Sequence, residues 1–263
     1  MQLGGKVALV TGAASGLGAA ISRELATHGA VVYLADIDFQ KAQQTAREID
    51  GVPIHLDVSN AIQVERVVQE IARKHDALDI VINNAGIICP SEELLGFTAE
   101  EWRRILSVNL SGTIAVSLSA YSVMRDQGFG HISNIGSLSG LIPVPFLGPY
   151  TSSKTALTGF TLGLAAEAEL SGVRVSLVCP GNLATGMARP SSVLPSVSPA
   201  HAAERIVKGI SHNERIIVFP LYARAMWWME RINPGLIRLW NREIVRRRAK
   251  REAERVVSLP SAA

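Results

Sequence analysis

Short apolar runs rich in β-branched residues alternate with longer stretches of helical periodicity through the first 219 residues. Residues 6–11 (KVALVT), 30–35, 53–56, 79–82, 130–135, 173–178 and 215–219 read as seven strands. Helical periodicity fills the intervals, beginning near Gly16 and over residues 38–50, 60–75, 98–124, 150–170 and 200–213. Strands that are apolar throughout, each followed by a helix, predict parallel pairing with helices on both faces. The expected fold is therefore α/β: a doubly wound parallel sheet of about seven strands, with no internal repeat. Residues 1–219 form this domain and residues 220–263 a C-terminal helical extension, which Pro234 and Gly235 divide into two helices.

In an open α/β sheet the segments that follow the strands hold the ligands. After the first strand comes TGAASGLG, with Gly12, Gly16 and Gly18 leading into a helix. Glycines allow a tight turn and close approach to a pyrophosphate, and the helix N-terminus favours negative charge. The second strand ends at Asp36, 24 residues after Gly12. A carboxylate there suits the two hydroxyls of an adenosine ribose and repels a 2′-phosphate, so NAD is expected over NADP. The alternative role for Asp36 is a cap on the helix at 38–50.

The fifth strand delivers Ser137, and Tyr150 and Lys154 follow four residues apart on one helix face. A phenol titrates near ~10, and a neighbouring ammonium is expected to lower that value, as a general base requires. Ser137 could then hydrogen-bond the oxygen of an alcohol or ketone. Tyr-x-x-x-Lys alone would be a chance pair; the surrounding pattern raises its weight. Asn109 is a poor choice inside a helix, and is either exposed and inert or there to perturb the helix and hold a water.

Composition narrows the picture. A hydrophobic content of 48% is ample for a core, and 19% charged residues is typical of a soluble domain. Cys89 and Cys179 have no metal or redox spacing, so no metal site is expected, and a reducing cytoplasmic setting is the default. No signal peptide and no run of about 18 uncharged apolar residues is visible. Residues 242–255 hold seven Arg/Lys and three Glu, so the basicity belongs to the tail.

The ordered set Thr11-Gly12-Ala13-Ala14-Ser15-Gly16-Leu17-Gly18, Asp36, Asp57-Val58, Asn83-Asn84-Ala85-Gly86, Asn109, Ser137, Tyr150-Thr151-Ser152-Ser153-Lys154 and Pro180-Gly181 resembles the short-chain dehydrogenase/reductase family. The resemblance runs from about residue 5 to 219. It implies a Rossmann-like fold and a Tyr150 general acid/base, with Lys154 lowering the Tyr150 pKa and holding the nicotinamide ribose. It implies that Ser137 orients the substrate oxygen and that Asn109 belongs to a proton relay through water. Gly12, Ser15, Gly16, Leu17, Gly18 and Asp36 would bind the pyrophosphate and adenosine ribose, with Asp57 and Val58 near the adenine. Asn84, Ala85 and Gly86 would line the adenosine side, and Leu183 and Thr185 the carboxamide. Family habit suggests a homodimer or homotetramer. The rival class is a dinucleotide-binding sensor without turnover, which would need only the glycine loop and Asp36.

Residues 138–149 carry Leu141, Ile142, Val144, Phe146 and Leu147 and no charge. They either wall a pocket for an apolar secondary alcohol or ketone, such as a steroid, retinoid or long-chain compound, or pack on the core or a partner subunit. The Pro/Ser-rich residues 186–199 are a candidate lid. In residues 220–255, Trp227, Trp228 and Trp240 alternate with Arg224, Arg231 and Arg238. The first helix there packs over the pocket or a neighbouring subunit, or else the pair makes a peripheral membrane contact. Nucleic acid is not an expected partner.

Overall fold

The computed structural model describes residues 1–88, 93–186 and 194–257, with side chains to residue 250. Cys89 and most of the candidate lid (187–193) lie outside the described residues.

Seven parallel strands form one sheet in the order β3-β2-β1-β4-β5-β6-β7. They are β1 (Val7–Thr11), β2 (Val31–Asp36), β3 (Val52–His55), β4 (Ile80–Asn83), β5 (Gly130–Ile135), β6 (Val173–Pro180) and β7 (Ile216–Phe219). The helices are α1 (Gly16–Thr27), α2 (Phe39–Glu48), α3 (Ala61–His75), α4 (Ala99–Leu106), α5 (Thr113–Gln127), α6 (Gly148–Glu167), α7 (Pro199–Ser211), α8 (Leu221–Ile232) and α9 (Pro234–Val257). Strand order reverses between β1 and β4, and that switch point is where such sheets open a crevice.

Alternation along the strands assigns the two faces. Ala8 and Val10 of β1 pack with Leu17, Ile21 and Leu25 of α1 and with Ile206 and Ile210 of α7. Val7 and Leu9 point the other way, into a layer with Val64 and Val68 of α3, Val116 and Ala120 of α5, and Leu164 of α6. Each face is covered, so β1 and β2 need no polar side and read as apolar runs, whereas β5 carries the buried polar residues His131, Ser133 and Asn134. The extension continues the second layer. Met226 of α8 and Ile237 of α9 close over Leu177 and Cys179 of β6 and over Leu138 and Ile142 of the loop after β5.

The single helix expected over 98–124 is broken. Between α4 and α5, Ser107–Gly112 is a π-helical turn, and Asn109 within it is fully buried. The stretch Ala99–Gln127 is long and apolar enough by length and composition to cross a membrane, which the sequence reading did not anticipate. Its inward residues Val116, Ala120 and Met124 are buried against the sheet.

One buried titratable group carries a stability prediction. His131 on β5 is buried, its Nε2 is 2.8 Å from Ser176 Oγ, and burial holds its pKa down to about 4. Because this value lies below the unfolded one, the unfolded chain takes up a proton first as pH falls. Stability conferred by neutral His131 is therefore present above about pH 6.5 and lost towards pH 4, by about 3 kcal/mol in all. Urea unfolding at pH 7 and pH 4.5 should give a smaller pH difference for His131→Asn than for the wild type. Equal differences would remove His131 from the acid response.

Candidate active site

The glycine loop turns between β1 and α1 in a conformation only glycine accepts easily. Gly12 and Gly16 have φ of +64° and +56°. A Cβ on Gly12 would lie 2.7 Å from Ala85 Cα, and one on Gly18 would lie 2.1 Å from Gly12 O. The loop is braced from behind. Asn84 Nδ2 donates to Thr11 O and Gly12 O at 3.1 and 3.0 Å, and Thr11 Oγ1 accepts from the amides of Asn84 and Ala85. Asn84 and Ala85 thus support the loop from beneath, and Thr11 joins them as a residue whose role the sequence did not signal. Ser15 precedes α1 without using its side chain as a cap, and Leu17 packs into the core.

Asp36 is not the helix cap. Asp38 caps α2, its side chain accepting from the Lys41 amide. Asp36 Oδ2 accepts from the Ala14 amide at 2.9 Å and Oδ1 from the Asp38 amide at 2.9 Å. These bonds fix the carboxylate beside the glycine loop. Asp57 Oδ1 accepts from Ser59, closing the turn after β3, and Val58 packs under Gly112, where a Cβ would be 2.8 Å from Val58 Cγ2. The segment after β6 returns opposite the glycine loop, with Thr185 Cγ2 3.6 Å from a Cβ built on Gly16. Leu183 in the same segment forms a bridge with Val197. A positive-φ loop with no room for a Cβ, a helix N-terminus and an anchored carboxylate together fit a dinucleotide.

Asn109, Gly86 and Lys154 converge at the switch point. Asn109 Oδ1 accepts from the Ile87 amide at 2.8 Å, and its Nδ2 donates to Ile87 O and Ser153 Oγ at 2.9 and 3.2 Å. A Cβ on Gly86 would lie 3.3 Å from Asn109 Oδ1 and 3.8 Å from Lys154 Nζ. Asn109 is thus neither exposed nor inert; its side chain ties the π turn to the loop after β4 and to α6.

Ser137, Tyr150 and Lys154 meet as expected, but the electrostatics differ. Ser137 lies close enough to Tyr150 to act on its hydroxyl, and its Oγ accepts from the Ser139 amide and hydroxyl at 3.2 and 2.9 Å. Lys154 Nζ lies 5.8 Å from the Tyr150 ring centre and donates to Ile135 O at 2.8 Å. Tyr150 keeps some solvent access as a residue, yet burial around its hydroxyl raises its pKa, outweighing the lowering by Ser137. Burial also brings Lys154 down to about 8. The expected lowering of Tyr150 by Lys154 is therefore not found, because desolvation acts on both groups and the ammonium is engaged with a carbonyl.

Buried polar residues underneath hold these elements in register. Asn83 Nδ2 donates to Ser117 Oγ and Asn134 Oδ1 at 2.9 and 2.8 Å, and Asn134 Nδ2 donates to Thr161 Oγ1 at 3.0 Å. β4, β5, α5 and α6 are thereby tied together. Polar residues in otherwise apolar strands (IVIN, HISNI) were the available signal. Gly140 brings the turn after Ser137 against α6; a Cβ there would be 2.6 Å from Lys154 O. From the extension, Tyr222 Oη accepts from the Asn182 amide at 2.7 Å and sits over Gly181.

The apolar loop takes the packing role in part. Ile142 is buried and Leu141 and Val144 are partly buried against α8 and α9. Asn241 Nδ2 donates to Pro143 O at 3.0 Å, and the Arg248 guanidinium stacks 4.3 Å from the Phe146 ring centre.

Comparison with known proteins agrees with this geometry. Residues 6–193 match the short chain dehydrogenase family. The chain is 30% identical to human 17-beta-hydroxysteroid dehydrogenase 13 over 243 residues, 89% of this chain and 81% of that protein. It is 33% identical over 214 residues to the Thermotoga maritima 3-oxoacyl-(acyl-carrier-protein) reductase FabG, 80% of this chain and 85% of that one. The structure of a Brucella melitensis 3-ketoacyl-(acyl-carrier-protein) reductase complexed with NADH superposes with a TM-score of 0.78 at 26% identity, covering 82% of this chain and 97% of that one. The chain belongs to the short-chain dehydrogenase/reductase family of oxidoreductases.

Proposed function

We propose that the protein interconverts a hydrophobic secondary alcohol and its ketone with NAD(H). The observation that carries this reading is the junction of Ser137, Tyr150 and Lys154 with the braced glycine loop at one switch point. When bound, a nicotinamide dinucleotide supplies or accepts the hydride. In oxidation, Tyr150 takes the hydroxyl proton of the alcohol while hydride leaves the carbinol carbon; in reduction, Tyr150 returns a proton to the carbonyl oxygen. Ser137 orients that oxygen. Lys154 would hold the nicotinamide ribose, with its ammonium fixed beside the Tyr150 ring by the bond to Ile135 O. Asn109, whose Nδ2 donates to Ile87 O and Ser153 Oγ while Oδ1 accepts from the Ile87 amide, positions Gly86 and Ile87 beside Lys154 and would belong to a water relay there. A Tyr150 hydroxyl raised above its ordinary pKa of 10 stays protonated at neutral pH, which suits reduction there and favours oxidation at alkaline pH.

NAD rather than NADP is supported by the anchored Asp36 carboxylate and by the NADH bound in the Brucella enzyme. Gly12, Ser15, Gly16, Leu17 and Gly18 would cradle the pyrophosphate, Asp57 and Val58 the adenine, Asn84, Ala85 and Gly86 the adenosine side, and Leu183 and Thr185 the carboxamide. An apolar substrate is supported by the uncharged loop 138–147 and the hydroxysteroid dehydrogenase relative. A homodimer or homotetramer is expected, with α8 and the start of α9 acting as an outer wall of the pocket.

The testing experiment is NADH formation from NAD with secondary alcohols ranging from sugars and hydroxy acids to steroids and long-chain carbinols. Turnover at the apolar end is expected; activity confined to polar alcohols would discard the substrate class, and silence with NADH still binding would leave a sensor. Asp36→Ala should lower the NADH-over-NADPH preference by tenfold or more, since two like charges ~4 Å apart near a surface repel by about 4 kcal/mol before screening. A wild type that already prefers NADPH would refute the cofactor assignment.

A further inference from the structure

We propose that the outward face of α8 and the first turns of α9 is a contact surface for anionic lipid membranes, a proposal that stands whether or not the reaction is the one given above. α8 is apolar on two sides. Its inner side, with Tyr222, Ala223, Met226 and Met229, packs on the cluster beside the site. On the outer side Leu221, Ala225, Trp228 and Ile232 recur at helical spacing and are all exposed, Leu221 and Ile232 at 79% and Trp228 at 51%. Leu236 and Leu239 extend the exposed apolar run onto α9. Exposed Arg224, Arg231 and Arg238 accompany the stripe, and Arg231 lies 4.8 Å from the Trp227 ring centre.

Charge selects the occupant. Residues 221–263 hold ten Lys/Arg and four Asp/Glu, whereas residues 1–220 hold 16 and 19, so the chain is polarised from −3 to +6 towards this end. A helix that is apolar with Trp on one side and basic beside it lies well in an anionic lipid interface, with aromatic rings at headgroup level and arginines on phosphates. A second copy is a poorer occupant, because a twofold contact would set the same arginine-rich helices against each other. Since the inner side of α8 and α9 covers the loop after Ser137, the surface would bring the site to within one helix layer of a lipid phase.

The test uses the full chain and sucrose-loaded vesicles of phosphatidylcholine alone or with 30% phosphatidylserine. Co-sedimentation with the serine-containing vesicles is expected to exceed that with pure phosphatidylcholine by roughly tenfold at ~0.1 M salt and to fall at ~0.5 M. Trp228→Ser with Ile232→Ser, both exposed positions, should reduce binding by roughly tenfold with unchanged thermal unfolding. Absence of sedimentation with the anionic vesicles, or equal binding by the double variant, would overturn the proposal. So would a double variant that loses a dimer in size-exclusion chromatography when the wild type shows no vesicle binding, which would assign the face to a second copy. None of these readouts depends on turnover, so failure of the proposed reaction would be recognised separately.

Discussion

Tyr150→Phe is expected to cut turnover by roughly 10³-fold, the range that a single positioned proton donor contributes. The substitution removes one hydroxyl and keeps the ring, so the packing of α6 and the glycine loop should be untouched. NADH binding, followed by fluorescence titration, should stay within about twofold of the wild type, as expected when a group acts on the chemical step rather than in ground-state binding. The hydroxyl lies near Ser137, whose bonds to Ser139 and Gly140 remain in the variant. Near-full activity in the variant would sink the acid–base assignment. Loss of NADH binding together with turnover would instead make Tyr150 a cofactor ligand first.

Lys154→Met should separate stability from activity. Lys154 is buried, and its pKa of about 8 measures the cost of keeping it charged inside the protein. Its folded pKa lies below the unfolded value of 10.5, so the full penalty is present below about pH 8. It is relieved as pH rises from about 8 to 10.5, where the unfolded chain still holds the proton and the folded one has released it. That penalty is roughly 3 kcal/mol. Methionine removes it and forfeits the bond to Ile135 O, worth about 1 kcal/mol. Urea unfolding should therefore find the variant more stable by about 2 kcal/mol at pH 7, with the gain gone by pH 10.5. Turnover should fall by 10²-fold or more. A variant less stable than the wild type at pH 7 would mean that Lys154 is better compensated than its surroundings imply. Trading stability for a charged group at the site is a common pattern in enzymes.

Much of the fold was legible because the strands are buried on both faces and the helices on one. All seven strands lie within one or two residues of the expected bounds, and β5 coincides with them. The π turn was not legible as such. Ser107–Gly112 keeps apolar residues in helical spacing, and one extra residue in the turn changes hydrogen bonding more than hydropathy. Asn109 was the only local sign. In the site, spacing brought Tyr150 and Lys154 together, but their pKa directions depend on burial supplied by distant segments. Cys179, which comes from another strand and is itself pushed up to about 12 by burial, adds a charge interaction with both. The partners of the loop after Ser137 were equally hidden, because Ile142 meets Met226 and Ile237 from more than 80 residues away.

The π turn also shows how the chain takes in an extra residue without losing phase. The wider turn at Ser107–Gly112 absorbs that residue locally, so the helix beyond it still presents Val116, Ala120 and Met124 to the sheet. Deleting one residue between Ser107 and Gly112 would restore regular α-helical hydrogen bonding and leave that packing nearly in place, whereas the wide turn that directs Asn109 at Ile87 and Ser153 would be lost. The extra residue thus serves the placement of Asn109, and the packing of the helix on the sheet does not depend on it.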